Sequence, residues 1–237
     1  MNDLETAGIW LQTICRKNDL IVSDEQVGLL ERYVDYLLEW NRKVNLISRQ
    51  DEELVWQNHI LHSVCLLFRL RLRKNSKIMD LGTGGGLPGI PLKILLPDSE
   101  ILLIDSTRKK ITAVQDMLRA LDLGGIVGLW GRAEELAKDP KLHSHFDYIV
   151  ARAVAPLNDL IAWSKPFLRP SPEAPHPEGT DQPPPPALIA PKGGDLGQEI
   201  DEAKREQNAR SIEVVDLVFP GSEEISTSGK KIVVVKF

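Results

Sequence analysis

A strand, a glycine-rich loop and a helix in immediate succession constrain this chain more than any other feature. Residues 78–92 read IMDLGTGGGLPGIPL, with four glycines in the five positions 82–86. Glycine tolerates positive φ and lets backbone approach a ligand closely. A helix N-terminus beyond such a loop offers unpaired N–H groups to an anion. The surrounding pattern agrees with an α/β protein. Short apolar runs at Lys77–Leu81, Ile101–Asp105, Ile126–Trp130, Tyr148–Val150 and Ala187–Ala190 alternate with helical stretches near Leu87–Leu96, Arg108–Leu121 and Leu157–Trp163. Strands alternating with helices predict a parallel sheet of right-handed βαβ units. The chain closes differently: after a helix over Asp195–Arg210, the runs Ile212–Phe219 and Lys231–Phe237 flank a Gly/Ser turn and predict an antiparallel hairpin.

The first 72 residues read as helical, an extension before the main domain of 73–237. Ser23 and Gln26 form a capping box, followed by Val27, Leu30, Val34, Leu37 and Leu38 at helical spacing. Residues 40–46 form a helix end and turn, and Leu54, Val55, His59, Leu61, Val64, Leu67 and Phe68 predict a further helix. Residues 169–186 carry eight prolines and almost no apolar side chains, which predicts a mobile surface insertion rather than strand or helix. A proline-recognition ligand is the other reading of that stretch. Cys15 and Cys65 stand apart, without Cys-x-x-Cys or a histidine-rich context, and read as buried small hydrophobes in a reducing cytosol. The N-terminus has no secretion-signal pattern and no apolar run nears the roughly 20 residues of a membrane helix. The expectation is a cytoplasmic monomer without metal.

Which ligand the glycine loop takes has two answers from spacing. Gly84-x-Gly86-x-x-Gly89 matches the dinucleotide fingerprint, with Asp105 21 residues beyond Gly84 as the ribose acid. That reading makes the chain an NAD(P)-dependent oxidoreductase. Against it, Pro88 stands where the helix should already run, and Asp80 has no place in that fingerprint. Asp80-x-Gly82-x-Gly84 instead resembles the first motif of Rossmann-like S-adenosylmethionine-dependent methyltransferases, and Asp105 serves either reading.

The whole stretch 82–92, GTGGGLPGIPL, resembles the GTGxGLPGIPL signature of the bacterial small-subunit rRNA guanine-N7 methyltransferases (RsmG, also called GidB). Trp40-Asn41 with Asn45-Leu46, residues 59–63 (HILHS), 103–106 (LIDS), 132–136 (RAEEL), 151–153 (ARA) with 157–159 (LND), and 191–193 (PKG) are similar to further stretches of that family. The likeness runs from about residue 24 to the C-terminus and is interrupted by the proline-rich insertion. It departs at Asn58, where a basic residue is usual, at His62, where an acid is usual, and at Pro191, where an apolar residue is usual.

The resemblance implies a mostly parallel seven-stranded sheet with an antiparallel C-terminal hairpin and an N-terminal helical extension. It also implies methyl transfer from S-adenosyl-L-methionine to guanosine N7 of 16S rRNA, on RNA or a ribosomal particle. A non-catalytic cofactor-binding assembly factor is a third class. By the same resemblance Gly82, Gly84 and Leu87 line the cofactor, Asp105 takes its ribose, Ala133 and Glu134 flank the adenine, and Arg152 contacts cofactor or substrate. Arg132, Lys192 and His59 would position substrate. Arg132 and Lys192 can also be surface ion pairs, and His59 a core histidine. Trp56 and Trp163 read mainly as core or interface residues, with stacking on a base as the other reading.

Attack by N7 requires no prior loss of a proton, so the lack of a triad or paired carboxylates is expected, and in-line positioning can supply roughly 7–11 kcal/mol. N7 lies on the major-groove edge, which A-form RNA hides from side chains. The target should therefore be splayed out or in a loop. A net charge of −5 over 237 residues excludes a uniformly basic binder. Residues 169–237 hold 8 basic and 12 acidic side chains, and the remainder is nearly balanced. Arg69, Arg71, Arg73, Lys74 and Lys77, then Arg108, Lys109 and Lys110, are local basic clusters that suit either a solvated face or the RNA backbone.

Overall fold

The computed structural model describes residues 3–170, 186–207, 209–222 and 229–237, so most of the proline-rich insertion (171–185) and the hairpin turn (223–228) lie outside the described residues. Helices α1 (Asp3–Lys17) and α2 (Asp24–Asn41) open the chain. Ser23 Oγ accepts from the Gln26 N–H and the Gln26 side chain accepts from the Ser23 N–H, which completes the expected capping box. Buried Asn41 ends α2: its side-chain Oδ1 accepts from the Leu46 N–H at 2.8 Å and the Ile47 N–H at 3.0 Å, which pins the following turn.

Residues 54–69 depart from the expected regular helix. A π-helical turn covers Trp56–Leu61, followed by short helices α3 (His62–Val64) and α4 (Leu66–Arg69). Period-3.6 patterning cannot register an i→i+5 turn, and such turns often occur at functional sites.

The sheet comprises β1 (Lys77–Leu81), β2 (Glu100–Asp105), β3 (Ile126–Trp130), β4 (Tyr148–Val150), β5 (Ala187–Gly193), β6 (Ser211–Asp216) and β7 (Lys230–Lys236). Their order is β3-β2-β1-β4-β5-β7-β6. The first five are parallel, and β7 lies between β5 and β6, antiparallel to both. Strand β6 ends earlier than its apolar run. Leu217 and Phe219 leave the ladder to be buried, Phe219 edge-to-face on Phe68 with ring centroids 5.1 Å apart.

Helices α5 (Gly89–Leu95), α6 (Arg108–Leu121), α7 (Ala133–Leu136), α8 (Leu157–Ser164) and α9 (Gly197–Glu206) complete three layers. Successive strand residues divide between two cores, as alternating side chains require. Ile78, Tyr148, Val150, Ile232 and Val234 join one core with α1, α2, α5 and α6. Met79, Ile149, Val233 and Val235 join the other with α8 and α9. Burial on both faces explains the continuous apolar runs.

The N-terminal helices are thus one wall of the sheet's core. Polar contacts tie them to it as well: Gln26 donates to the Ile94 carbonyl at 2.8 Å, and the Trp40 indole to Asp116 at 3.2 Å.

Candidate active site

The glycine loop is built around Asp80, at the end of β1 and fully buried. Its Oδ2 accepts from Thr83 Oγ1 at 2.6 Å and from the Gly89 N–H at 2.8 Å, so one carboxylate oxygen closes the loop onto the start of α5. Burial pushes this carboxyl up to about 6, against the opposing pull of those two donors and of Arg152. Its Oδ1 has no partner. Pro88 falls just before the helix, which removes the conflict seen in the sequence. From α2, the buried Tyr33 hydroxyl donates to the Gly85 carbonyl at 2.9 Å.

Gly82 and Gly84 have φ of 72° and 57°. A Cβ at Gly82 would lie 2.6 Å from Val154 Cγ2. Gly82→Ala is therefore expected to cost about 1–3 kcal/mol through left-handed strain and overpacking. Chemical denaturation checks this, and an unchanged midpoint would contradict the packing described.

Two cavities open at the carboxyl ends of the strands, where α/β sheets bind ligands. The smaller, about 220 Å³, is bounded by Gly82, Asp105, Arg132, Ala133, Glu134 and Trp163. Asp105 accepts from the Gly84 N–H at 3.0 Å through Oδ2 and from the Thr107 N–H at 2.7 Å through Oδ1. Each oxygen retains acceptor capacity for a further donor.

The larger cavity, about 560 Å³, lies over β4, β5 and β7 and shares Val154 with the first. His59, His62, Arg152, Lys192 and Lys230 line it. Arg152 donates to the Asn58 carbonyl at 3.2 Å and approaches His59 Nδ1 at 3.0 Å. A guanidinium only donates, so Nδ1 accepts and the His59 proton is on Nε2. That N–H faces the Asp51 carboxylate with Nε2 3.5 Å from Oδ2, too long for a good hydrogen bond. His62 Nδ1 is 2.8 Å from the Asn58 carbonyl, which can only accept and so places the proton on Nδ1, and Lys230 Nζ lies 2.8 Å from Nε2 and 3.1 Å from Nδ1.

Both imidazoles are pushed down to about 4, His59 by burial and then Arg152, His62 by burial and then Lys230. The ordinary histidine value is near 6.5. As pH falls, the unfolded chain therefore binds these protons first, and this stability is intact above about pH 6.5 and lost between about 6.5 and 4. Asp80 works in the opposite direction between about 6 and 4. His62→Gln is expected to flatten the acid-side fall in unfolding free energy. An unchanged slope would contradict a neutral, buried His62.

The structure brings Gly82, Asp105, Arg132, Ala133 and Glu134 to the smaller cleft, and His59, Arg152 and Lys192 to the larger cavity. Gly84 meets the cleft through its bond to Asp105, whereas Leu87 is buried in the core and lines neither cavity. Lys192 donates to the Ala155 carbonyl at 3.0 Å and pairs with Glu199, which also accepts from the Leu157 N–H at 2.6 Å. It therefore braces the loop after β4. Residues missed from the sequence include Lys230, Glu199 and Val154, while Trp163, a candidate for base stacking, lines the smaller cleft and His62 the larger cavity. Only the HILHS stretch carried a local signal, for His62. The basic clusters separate: 69–77 leads into the amino end of β1, away from both cavities, whereas Arg108, Lys109 and Lys110 open α6 on the ligand side.

Known proteins resemble the chain at two levels. A family model described as rRNA small subunit methyltransferase G (GidB) matches residues 26–179. The ribosomal RNA small subunit methyltransferase G of Chlorobaculum tepidum is 38% identical over 229 residues, covering 96% of this chain and 97% of that protein. Its namesake in Clostridium novyi is 40% identical over 151 residues, 64% of this chain and 62% of that protein. Among solved structures, a SAM-dependent methyltransferase from Aquifex aeolicus superposes with TM-score 0.54 at 13% identity, covering 79% of this chain and 94% of that one. Aeropyrum pernix fibrillarin with bound S-adenosyl-L-methionine gives 0.51 at 14% identity, covering 74% and 73%. At these identities the likeness is one of fold.

Proposed function

The chain belongs to the rRNA small subunit methyltransferase G family, and from that premise we propose that it transfers the methyl group of S-adenosyl-L-methionine to N7 of a guanosine in 16S rRNA. The observation that carries the reading is a pair of cavities joined at Val154, one floored by the Asp105 carboxylate and the glycine loop, the other lined by cations and neutral imidazoles. The residues present fit the cofactor. Gly82 lines the cleft at a point where a Cβ would run into Val154, and Asp105 has acceptor capacity for ribose hydroxyls. Reversed β7, inserted between β5 and β6, also separates this sheet from the 3-2-1-4-5-6 order of dinucleotide-binding folds.

In this reading Gly82, Gly84 and Asp105 hold the nucleoside, and Ala133, Glu134 and Trp163 wall the adenine. Leu87 acts through the loop's backbone, since its side chain faces the core. When bound, the cofactor supplies an electrophilic methyl on a sulfonium centre. Arg152 orients substrate, His59 is held by Arg152, and Lys192 fixes the loop that carries Val154. Arg132, exposed at the edge of the cleft, guides the RNA. No residue need remove a proton from N7, so orientation and exclusion of water are the protein's tasks. Arg108, Lys109 and Lys110 stand on the ligand side to meet RNA backbone.

The partner is small-subunit rRNA, free or in a particle, and the protein acts as a monomer in the cytoplasm. Among the described residues no helix is long and apolar enough to cross a membrane. Calorimetric titration tests the cofactor: S-adenosylmethionine and S-adenosylhomocysteine should bind. Tight NAD(H) binding with no response to either would overturn the reading.

A further inference from the structure

Strand β3 lies at the open edge of the sheet, and its last residue, Trp130, is 53% exposed. The other four tryptophans are buried or half-buried. A single exposed apolar side chain is ordinary, but this ring is held in place and set among cations. Its indole N–H donates to the Ser106 carbonyl at 3.0 Å, and the Arg108 guanidinium carbon lies 5.4 Å from the ring centroid. Arg108 and Lys109, which open α6, and Arg132, two residues beyond the ring, are exposed, and Lys110 is half-buried. Among the described residues no ion pair involves any of these four cations. The acids that follow, Glu134 and Glu135, are exposed in the first turn of α7. Three cations at the start of α6, with no acid in its first turn, also run against the helix dipole, which favours negative charge there. Neither packing nor helix stability accounts for this combination. A polyanion with unpaired bases does.

We propose that Trp130 is a base-stacking platform for an unpaired nucleotide flanking the target guanosine, with Arg108, Lys109, Lys110 and Arg132 holding the neighbouring phosphates. The inference rests on the rRNA methyltransferase reading. Stacking on an aromatic ring is a common way to hold unpaired RNA, and it accepts any base. The bond to Ser106 fixes the indole in advance, so little side-chain freedom is lost on binding. The location suits a flanking nucleotide rather than the target. Trp130 is the register partner of Asp105 and so stands one strand outside the proposed ribose acid. Ser106 and Gly131 line the smaller cleft, whereas the ring does not. The larger cavity lies over β4 and β5, three and four strand positions away, or about 14–19 Å at ordinary strand spacing. A protein partner would favour a continuous apolar patch. Val127, the other exposed apolar residue of β3, stands three positions earlier and points to the opposite face of the sheet. What surrounds the ring is charge.

Fluorescence anisotropy of a short labelled single-stranded RNA, titrated with the full chain in the presence of S-adenosylhomocysteine, provides the test beside an abasic strand of the same length. The wild type should bind the base-bearing strand about tenfold more tightly than the abasic one. Trp130→Ala should erase most of that advantage, and Trp130→Phe should retain most of it. Salt separates stacking from charge. Trp130→Ala should leave the slope of log affinity against log salt unchanged, whereas Lys109→Ala should reduce its magnitude by about one. S-adenosylhomocysteine affinity and thermal melting of Trp130→Ala should stay at wild-type values, showing that the cleft and the fold are intact. Equal affinity for the two strands, or an advantage undiminished in Trp130→Ala, would overturn the platform and leave the ring to a protein contact. Loss of S-adenosylhomocysteine affinity in parallel with RNA affinity would also overturn it, by assigning the ring to the wall of the cofactor cleft. Failure of the methyltransferase reading would appear separately, as a wild-type protein that binds the RNA strand but not S-adenosylhomocysteine.

Discussion

Asp105→Ala is expected to weaken S-adenosylmethionine binding by about 100-fold or more. The carboxylate accepts from the Gly84 and Thr107 N–H groups and retains capacity for the two ribose hydroxyls. Hydrogen bonds to a charged group contribute about 1.5–3 kcal/mol each, so losing two to the ligand amounts to roughly 3–6 kcal/mol before any loop movement. The loop would move as well, because Gly84 at φ 57° is held by the same side chain. Asp105→Asn keeps one acceptor oxygen and should fall between wild type and alanine. Calorimetric titration with S-adenosylhomocysteine measures both, and an affinity within threefold of wild type for Asp105→Ala would remove Asp105 from the cofactor site.

Arg152→Ala should reduce kcat/KM for methyl transfer to small-subunit rRNA by about 100- to 1000-fold, on the order of 3–4 kcal/mol, the scale seen when a positioned electrostatic group is removed from an active site. The side chain holds the Asn58 carbonyl and His59 together across 93 residues of sequence, so its removal frees the π-helical turn as well as the cavity's charge. Cofactor affinity should change far less, because the cleft at Asp105 does not include Arg152. Undiminished transfer would remove Arg152 from the reaction.

The contrast between those residues also marks how far the sequence could be read. Asp105 was legible because its partners are local: the glycine loop and the strand end fix its position within one βαβ unit. The strands were legible because burial on both faces writes continuous apolar runs. Lys230 was not, since it reaches His62 across 168 residues and only the antiparallel insertion of β7 brings them together. The π-helical turn at Trp56–Leu61 reads as ordinary helix in the sequence because a 3.6-residue pattern does not register a single i→i+5 turn. Lys192 lines the larger cavity and also makes an ion pair, its other reading in the sequence, but its partner Glu199 depends on how α9 packs. The cluster at 69–77 shows the opposite failure: charge is visible in sequence, but the end of the sheet it occupies is set by strand direction. The N-terminal helices are legible in the sequence, whereas the bond from Tyr33 to the Gly85 carbonyl is not, since it spans 52 residues.

Incubation of the protein with small ribosomal subunits and methyl-labelled S-adenosylmethionine, followed by mass-spectrometric mapping of nucleosides, addresses the chemistry most directly. The expected result is label in 7-methylguanosine at a discrete position of the 16S rRNA, diminished in Arg152→Ala. Absence of label from the rRNA, or label on a ribose hydroxyl or a pyrimidine carbon, would contradict transfer to guanosine N7.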